Sequence, residues 1–549
     1  MILADVMILT DVFETFRSVS LTLGIYEVDP AHYVSAPQMA WDAMLKKTEV
    51  TLDLLTDPAM YRMIEGGMRG GICMISKRYA KANNPEMGTL YDPDLPTKYI
   101  IYLDANNLYG WAMSQYLPTG RFEWVSEEEF INIDWVHLSA ESPVGYIVEC
   151  DLEYPAELHA SHNDYPLAAE RVQIELEMLS DTQVGISRHY AQSRTRKNVK
   201  LVPNLMNKVK YTTHYLNLKF YLEKGLRLSK VHRVIRFNQA PWMLPYISLN
   251  TTLRANATND MEKDFYKLMN NAVYGKTCEN QRKRTDIRLI NDREEASKLI
   301  DKPHCLDVRI FDENLVGIEM RKVKLMLMKP SYVGFAVLEL SKLHMLDFHY
   351  NYIKRAYNDR AQLLFTDTDS LMYEVQTDFL YNDLARDLNR FDLSNYDQTN
   401  PFYRHEFRRN KAVVGMMKDE LAGNPITEFV GLRPKMYSFT AVKVKPDGTV
   451  EHIEKHRAKG IQRVVAEKFT HEQYKAQLEH PEENYVANRR LGSRLHKIYG
   501  MEVQKFPCQT LFSWYQTQKI WYRNLKIWYR NHLPWYHFKI FGTNHKIFL

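Results

Sequence analysis

The feature that most constrains this chain is a pair of aspartates in a turn. Leu363-Leu364-Phe365 and Leu371-Met372-Tyr373 flank Thr366-Asp367-Thr368-Asp369-Ser370, a pattern of two apolar strands joined by a tight turn. One aspartate at a strand end is usually a cap or a turn residue. Two of them at the end of apolar strands repel each other and resist desolvation unless a cation neutralises them. A fold that accepts this segment must therefore offer a place for positive charge at the edge of a sheet.

A second β-prone run, Tyr99-Ile100-Ile101-Tyr102-Leu103, ends on Asp104. Asp104 is thus a candidate third carboxylate beside Asp367 and Asp369. Oxygen ligands with open coordination positions suit magnesium, which is held by a few carboxylates together with substrate phosphates. Two such ions about 3.5–4 Å apart can activate a hydroxyl and stabilise the leaving oxygens of an in-line displacement at phosphorus. Between the acidic strand ends, Met261 to Lys276 has helical periodicity. Phe265, Leu268, Met269 and Ala272 are expected on an apolar stripe, with Lys263, Lys267 and Asn271 on another. Lysines on a helix are normally just solvated, but here they could also meet a leaving diphosphate.

The remaining composition permits this chemistry without demanding it. At 549 residues the chain exceeds one hydrophobic core. Its net charge of +5 means that any nucleic-acid partner must be met by local basic patches. Cys73, Cys150, Cys278, Cys305 and Cys508 are scattered, with no zinc or disulfide spacing, which fits a reducing, intracellular setting. No apolar run is long enough for a bilayer, so a soluble protein without a membrane partner is expected. Residues 1–40 read as a helix stopped by Asp29-Pro30. Trp41 to Lys81 continues in helical pattern, broken by Gly66-Gly67 and Gly70-Gly71, which read as turns or as bare backbone where another chain can approach. Near the end, Lys519-Ile520-Trp521-Tyr522-Arg523-Asn524 recurs as Lys526-Ile527-Trp528-Tyr529-Arg530-Asn531. Its aromatic and basic residues could stack on nucleic acid, or the tail from Cys508 is a duplicated or misread end without a fold of its own.

These residues resemble the motifs of family B DNA polymerases, and most of all the protein-primed branch of self-synthesising transposons, linear plasmids and viruses. Asp104-Ala105-Asn106-Asn107-Leu108-Tyr109-Gly110 is similar to Asp-x-x-Ser-Leu-Tyr-Pro, with Asn107 for serine and Gly110 for proline. Lys267 to Gly275 resembles Lys-x-x-x-Asn-Ser-x-Tyr-Gly, departing at Ala272. Phe365 to Ser370 resembles Tyr-x-Asp-Thr-Asp-Ser. Lys435-Met436-Tyr437 is similar to a Lys-x-Tyr primer-strand element, and Met68-Arg69-Gly70-Gly71 resembles Tyr-x-Gly-Gly, a template-strand element, with methionine for tyrosine. The resemblance implies catalytic and metal-binding roles for Asp104, Asp367 and Asp369. It implies nucleotide binding by Tyr109, which would exclude a 2′-hydroxyl, and by Lys267, Asn271 and Tyr274. DNA binding is implied for Arg69, Gly70, Gly71, Thr368, Lys435 and Tyr437. The implied cofactor is Mg2+, two ions, with Mn2+ as a substitute. The implied partners are a DNA primer-template, deoxynucleoside triphosphates and, in the protein-primed mode, a terminal priming protein.

The expected fold is α+β, a right-hand polymerase with palm, fingers and thumb and only a remnant of an exonuclease domain. The divisions expected are 1–98 exonuclease remnant and template-contacting lead-in, 99–125 palm, 126–200 an insertion of terminal-protein-region type, and 201–284 palm and fingers. They continue as 285–330 second insertion, 331–432 palm, 433–507 thumb and 508–549 tail. Arg194, Arg196, Lys197 and Lys200 offer phosphates a basic cluster in the first insertion. Asp5 fits the last aspartate of an exonuclease motif whose tyrosine would fall at Met1, so no proofreading is expected. The rival readings are a catalytically decayed DNA-binding remnant of a mobile element and an RNA-templated polymerase. The latter makes poor sense of Tyr109 and of Lys435-Met436-Tyr437.

Overall fold

The computed structural model describes residues 2–22, 24–175, 199–444, 449–461, 463–479, 486–494 and 497–505. Arg194, Arg196, Lys197 and the 508–549 tail lie outside them. The chain opens with helix α1 (Ile2–Leu21), which ends short of the stop expected at Asp29-Pro30; Asp29 instead caps a separate short turn at Pro30–His32. Helices α2 (Ala36–Thr48) and α3 (Pro58–Gly67) follow. The helical pattern expected to reach Lys81 stops at Gly67. The chain then forms strands β1 (Cys73–Ile75) and β2 (Tyr79–Lys81), because each finds a partner in the distant second half of the chain. Strand β3 (Lys98–Ala105) carries Asp104 and runs into the one-and-a-half-turn helix α4 (Leu108–Met113).

Strands β4 (Leu117–Trp124), β5 (Val144–Glu153), β8 (Lys208–His214) and β9 (Arg227–Ala240) make an antiparallel sheet in the order β4-β9-β5-β8, and β6 (Glu170–Gln173) pairs with β7 (Val199–Val202) as a ribbon. This sheet draws in residues on both sides of the segment 126–200. The helix Asp260–Thr277 is next. It buries Tyr266, Met269, Ala272 and Val273. Leu268, expected on the apolar stripe, instead points outward and is 45% exposed. The stripe is shifted by one position because Tyr266, whose ring is apolar, takes a core place. A small sheet of β10 (Asp286–Ile290), β11 (Cys305–Asp312) and β12 (Leu315–Met320), ordered β10-β12-β11, occupies the region 285–330.

The helix Ser331–Asp347 is buried from Ser331 through Lys342 without a break, as a helix apolar on all sides must be. It packs against both large apolar clusters. After it come β13 (Ala361–Asp367) and β14 (Ser370–Gln376), the expected hairpin, with Thr368-Asp369 as its turn. Strands β15 (Phe391–Asp392), β16 (Met417–Asp419), β17 (Ile426–Arg433), β18 (Met436–Val444) and β19 (Val450–Ala458) complete the main sheet. The sheet has ten strands; its path is β1-β13-β14-β3-β17-β18-β19, with β2 on β17, and β16 on β3 and β15. The helix His471–Glu479 lies on β17 and β18, and the ribbon of β20 (Val486–Arg494) with β21 (Lys497–Lys505) follows. The mixture of helices with largely antiparallel sheets is the α+β architecture expected from sequence.

Candidate active site

Register brings the acidic residues together. Ser370 lies opposite Asp104 across the β14–β3 ladder, and Cys73 lies opposite Asp367 across β1–β13. The Ala105 N–H donates to the Asp369 carbonyl at 2.7 Å, and the Thr368 N–H donates to the Ile72 carbonyl at 2.8 Å. Thr368 sits at φ +68°, a left-handed conformation that is costly for a β-branched residue and concentrates at functional turns.

Asp104 and Asp369 share one electrostatic environment. Burial pushes the Asp104 carboxyl up to about 7, with the Asp369 and Glu420 charges adding to the rise and Lys418 and Lys267 opposing it. Asp369 is likewise raised, first by burial and then by Asp367, with Lys435 and Lys267 opposing. Asp367 is differently placed. It accepts the Lys435 ammonium in an ion pair and the Cys73 thiol at 2.7 Å. Burial alone would lower the Lys435 ammonium, but Asp367 and Cys73 outweigh it and leave it raised. Among the described residues no group of three or more His, Cys, Asp or Glu side chains is placed to hold a metal ion. What the site offers is a pair of half-buried carboxylates, both raised by burial, with a third held by a lysine.

The residues expected around the nucleotide divide between two elements. Tyr109 on α4 and Tyr274 on the helix Asp260–Thr277 stack with ring centroids 4.3 Å apart and planes 11° apart. Lys267 and Asn271 are exposed on that helix, and the Lys267 charge reaches both Asp104 and Asp369. Lys263, one turn earlier, pairs with Asp260 at 3.2 Å. The two departures from the motif around Tyr109 belong together. Asn107 adopts φ +43° and its side chain accepts the Gly110 N–H at 3.2 Å, capping α4. Proline at 110 would have no N–H to give, and a Cβ there would fall 2.1 Å from Asn107 Nδ2.

Of the residues expected on DNA, Gly70 is exposed with nothing within 4 Å of a built Cβ, while a Cβ on Gly71 would lie 2.4 Å from Thr368 Cγ2. Arg69 is buried, stacked 3.8 Å over the Tyr211 ring and donating to the Thr212 carbonyl at 2.8 Å. Tyr437 is buried too, its ring 4.5 Å from Phe365 and its hydroxyl 3.3 Å from that of Tyr102. Sequence reading missed Cys73, Lys418 and Glu420. Lys418 faces Asp104 in the β16–β3 register and bonds Glu420 at 2.9 Å. A strand of three residues leaves no periodicity to read.

Among known proteins, residues 2–322 match the family model for "DNA polymerase type B, organellar and viral". Phi29 DNA polymerase in its orthorhombic crystal form is similar in fold, with a TM-score of 0.52 at 13% identity over 86% of this chain and 68% of that one. Its complex with primer-template DNA gives 0.51 at 12% over the same shares. The ternary complex with primer-template DNA and incoming nucleotide substrates gives 0.50 at 14%, over 87% and 68%. No curated protein matches the chain in sequence. The right-hand polymerase fold is therefore present over most of the chain. With the family model covering more than half of its length, the protein belongs to the type B DNA-directed DNA polymerases of the organellar and viral kind.

Proposed function

We propose that the chain adds deoxynucleotides to a primer 3′-hydroxyl by two-metal phosphoryl transfer, with Asp104 and Asp369 as the principal ligands and Asp367 beside them. The observation that carries this reading is the pair Asp104 and Asp369, half-buried at the ends of adjacent strands, where burial raises both carboxyls and the Asp369 charge raises Asp104 further. A divalent ion would relieve that repulsion, and the open shape of the set suits magnesium or manganese, whose remaining positions go to water and substrate phosphates. Bound there, such ions would acidify the attacking hydroxyl and stabilise the leaving diphosphate.

The chain's own residues supply the rest. Lys267, exposed and electrostatically coupled to both carboxylates, would meet the triphosphate, with Asn271 beside the base pair being formed. Tyr109 would lie against the incoming sugar and select deoxyribose, with Tyr274 as its stacking partner. Lys435 pairs with Asp367 and offsets part of the charge that Asp367 adds beside Asp369. In this reading the main sheet is the palm, the helix Asp260–Thr277 belongs to the fingers, and the thumb begins near Lys435. The same carboxylates would serve whether the attacking hydroxyl belongs to a nucleic-acid primer or to a terminal priming protein. The described cysteines are free thiols, which suits the intracellular setting proposed from their spacing, and no described helix is long and apolar enough to cross a membrane.

The test is extension of a labelled primer-template with magnesium and the four deoxynucleotides, by the parent and by Asp369→Asn. Extension by the parent with a loss of at least 10³-fold in the variant, duplex binding retained, is the expected outcome. Near-parental extension by Asp369→Asn would refute the ligand assignment. A folded, DNA-binding parent that does not extend the primer would point instead to a catalytically decayed remnant.

A further inference from the structure

The first half of α1 is apolar on every side. Val6, Met7, Ile8 and Leu9 follow one another round a full turn. With Val12 and Phe13 they stand between 39% and 68% exposed. A helix of this kind belongs under cover. Beside it lies an open cavity of about 280 Å³, where Leu9, Val12, Phe13 and Phe16 of α1 meet Met261 and Phe265 at the start of the helix Asp260–Thr277. Phe16 and Phe265 touch edge-on there, with ring centroids 4.9 Å apart. Leu9, Val12 and Phe13 belong to both the exposed ridge and the groove, so the two are one apolar surface.

The charge around this surface is negative. Over the stretches that form it, 2–19 and 260–265, Asp5, Asp11, Glu14, Asp260, Glu262 and Asp264 stand against Arg17 and Lys263 alone. Both cations are already engaged, Arg17 by Asp29 at 2.7 Å and Lys263 by Asp260 at 3.2 Å. Asp5, Asp11 and Asp264 are exposed and form no ion pair among the described residues. An apolar surface flanked by such carboxylates repels nucleic acid, an anionic membrane and the α1 of a second copy alike. It favours an occupant that is both apolar and cationic.

The chain itself contains such a segment. Residues 508–549 hold six lysines and arginines and no aspartate or glutamate. Within them Trp514, Trp521, Trp528 and Trp535 recur every seven residues, each followed by a tyrosine, with Lys519, Arg523, Lys526 and Arg530 between them. We propose that this tail docks on the apolar surface of α1 in its own chain. One Trp-Tyr unit fills the groove against Phe16 and Phe265, and the flanking cations pair with Asp5 and Asp11. Aromatic rings suit the place because each buries a large area with few torsions to fix. Length allows it as well. The stretch from Lys505 to Trp528 spans up to about 75 Å when extended, against a radius of gyration of roughly 24 Å for a compact body of this chain length. Repetition of the unit raises its effective concentration at the groove. The proposal needs only the groove and the tail and does not rest on the polymerase reading.

The test is photo-crosslinking in the full chain, with p-benzoylphenylalanine in place of Trp521 or of Trp528, read by mass spectrometry of the joined peptides. Crosslinks within one chain to α1 and to 261–265 are expected. Their yield should fall more than about tenfold in Leu9→Ser/Phe13→Ser, which strips apolar area from the groove. It should fall about fivefold in Asp5→Lys/Asp11→Lys, which inverts the charge match. Adding Arg523→Glu/Arg530→Glu to the lysine variant should restore it. All four groove positions are exposed, so the urea midpoint should not move; if the serine variant unfolds, the lysine variant and its rescue decide. Crosslinks to other surfaces, or a yield indifferent to these variants, would overturn the proposal. So would crosslinks that join two chains, which would give the groove to a second copy's tail. Crosslinks made only to an added primer-template would overturn it too, and would make the tail a nucleic-acid-binding element.

Discussion

Gly70 and Gly71 are neighbours with opposite tolerances. A Cβ on Gly70 meets nothing within 4 Å, whereas one on Gly71 would sit 2.4 to 2.8 Å from three atoms of Thr368. Thr368 already holds a strained conformation, tied by its N–H to the Ile72 carbonyl, and cannot yield without moving the turn that carries Asp367 and Asp369. Gly71→Ala should therefore lower kcat for primer extension by about 10²-fold, the cost of roughly an ångström of misplacement at a reacting centre. Gly70→Ala should leave the denaturation midpoint unchanged. A Gly71→Ala enzyme with parental kcat would show that the turn does not depend on this contact. The Gly-Gly pair was visible in the sequence, but which of the two is committed was not, because it depends on a residue some three hundred positions away. The same holds for Asn107 and Gly110: each departs visibly from the motif, and only the hydrogen bond between them shows that the departures compensate.

At the scale of elements, the acidic hairpin was legible because apolar runs and turn residues act locally. Strands β1 and β2 were not, since three residues each become strands only through pairing with β13 and β17. The helix Ser331–Asp347 raises a different point. It buries Glu339 and Lys342 one turn apart, with Nζ 3.2 Å from the carboxylate, and Thr213 donates to Glu339 at 2.8 Å. Removing one charge strands the other, so Lys342→Met should cost about 3–5 kcal/mol, and Glu339→Gln/Lys342→Met should recover much of it. Urea unfolding of the two variants checks this; a double variant no more stable than the single one would mean that Lys342 acts mainly through its bonds to the Arg69 and Leu338 carbonyls.

For the whole molecule, three buried histidines set a limit on acid stability. Burial lowers His162 and His214 to about 4 and His349 to about 3. Their neutral form is favoured in the folded state, so below the unfolded value near 6.5 the unfolded chain binds more protons and stability falls with pH, levelling off only below the folded values. At pH 5.5 the loss should be roughly 1 kcal/mol per histidine relative to pH 7.5, read from urea midpoints. His214→Asn, which keeps an acceptor at the N-cap where His214 serves Leu216 at 3.4 Å, should remove about a third of that difference. An unchanged difference would mean that other groups dominate. The overall architecture was legible through its motifs, whereas strand order was not, because neighbours in the main sheet come from opposite ends of the chain.

That strand order has a consequence for how the protein is made. Both neighbours of β3 in the sheet, β14 on one side and β17 with β16 on the other, are translated long after it. While the ribosome delivers roughly half of the chain, Asp104 sits on a strand with two open edges, a template for wrong pairing. Such high contact order slows folding. The nascent protein therefore has no acidic centre at all until synthesis has passed Ser370, and its first half is the part most in need of a chaperone.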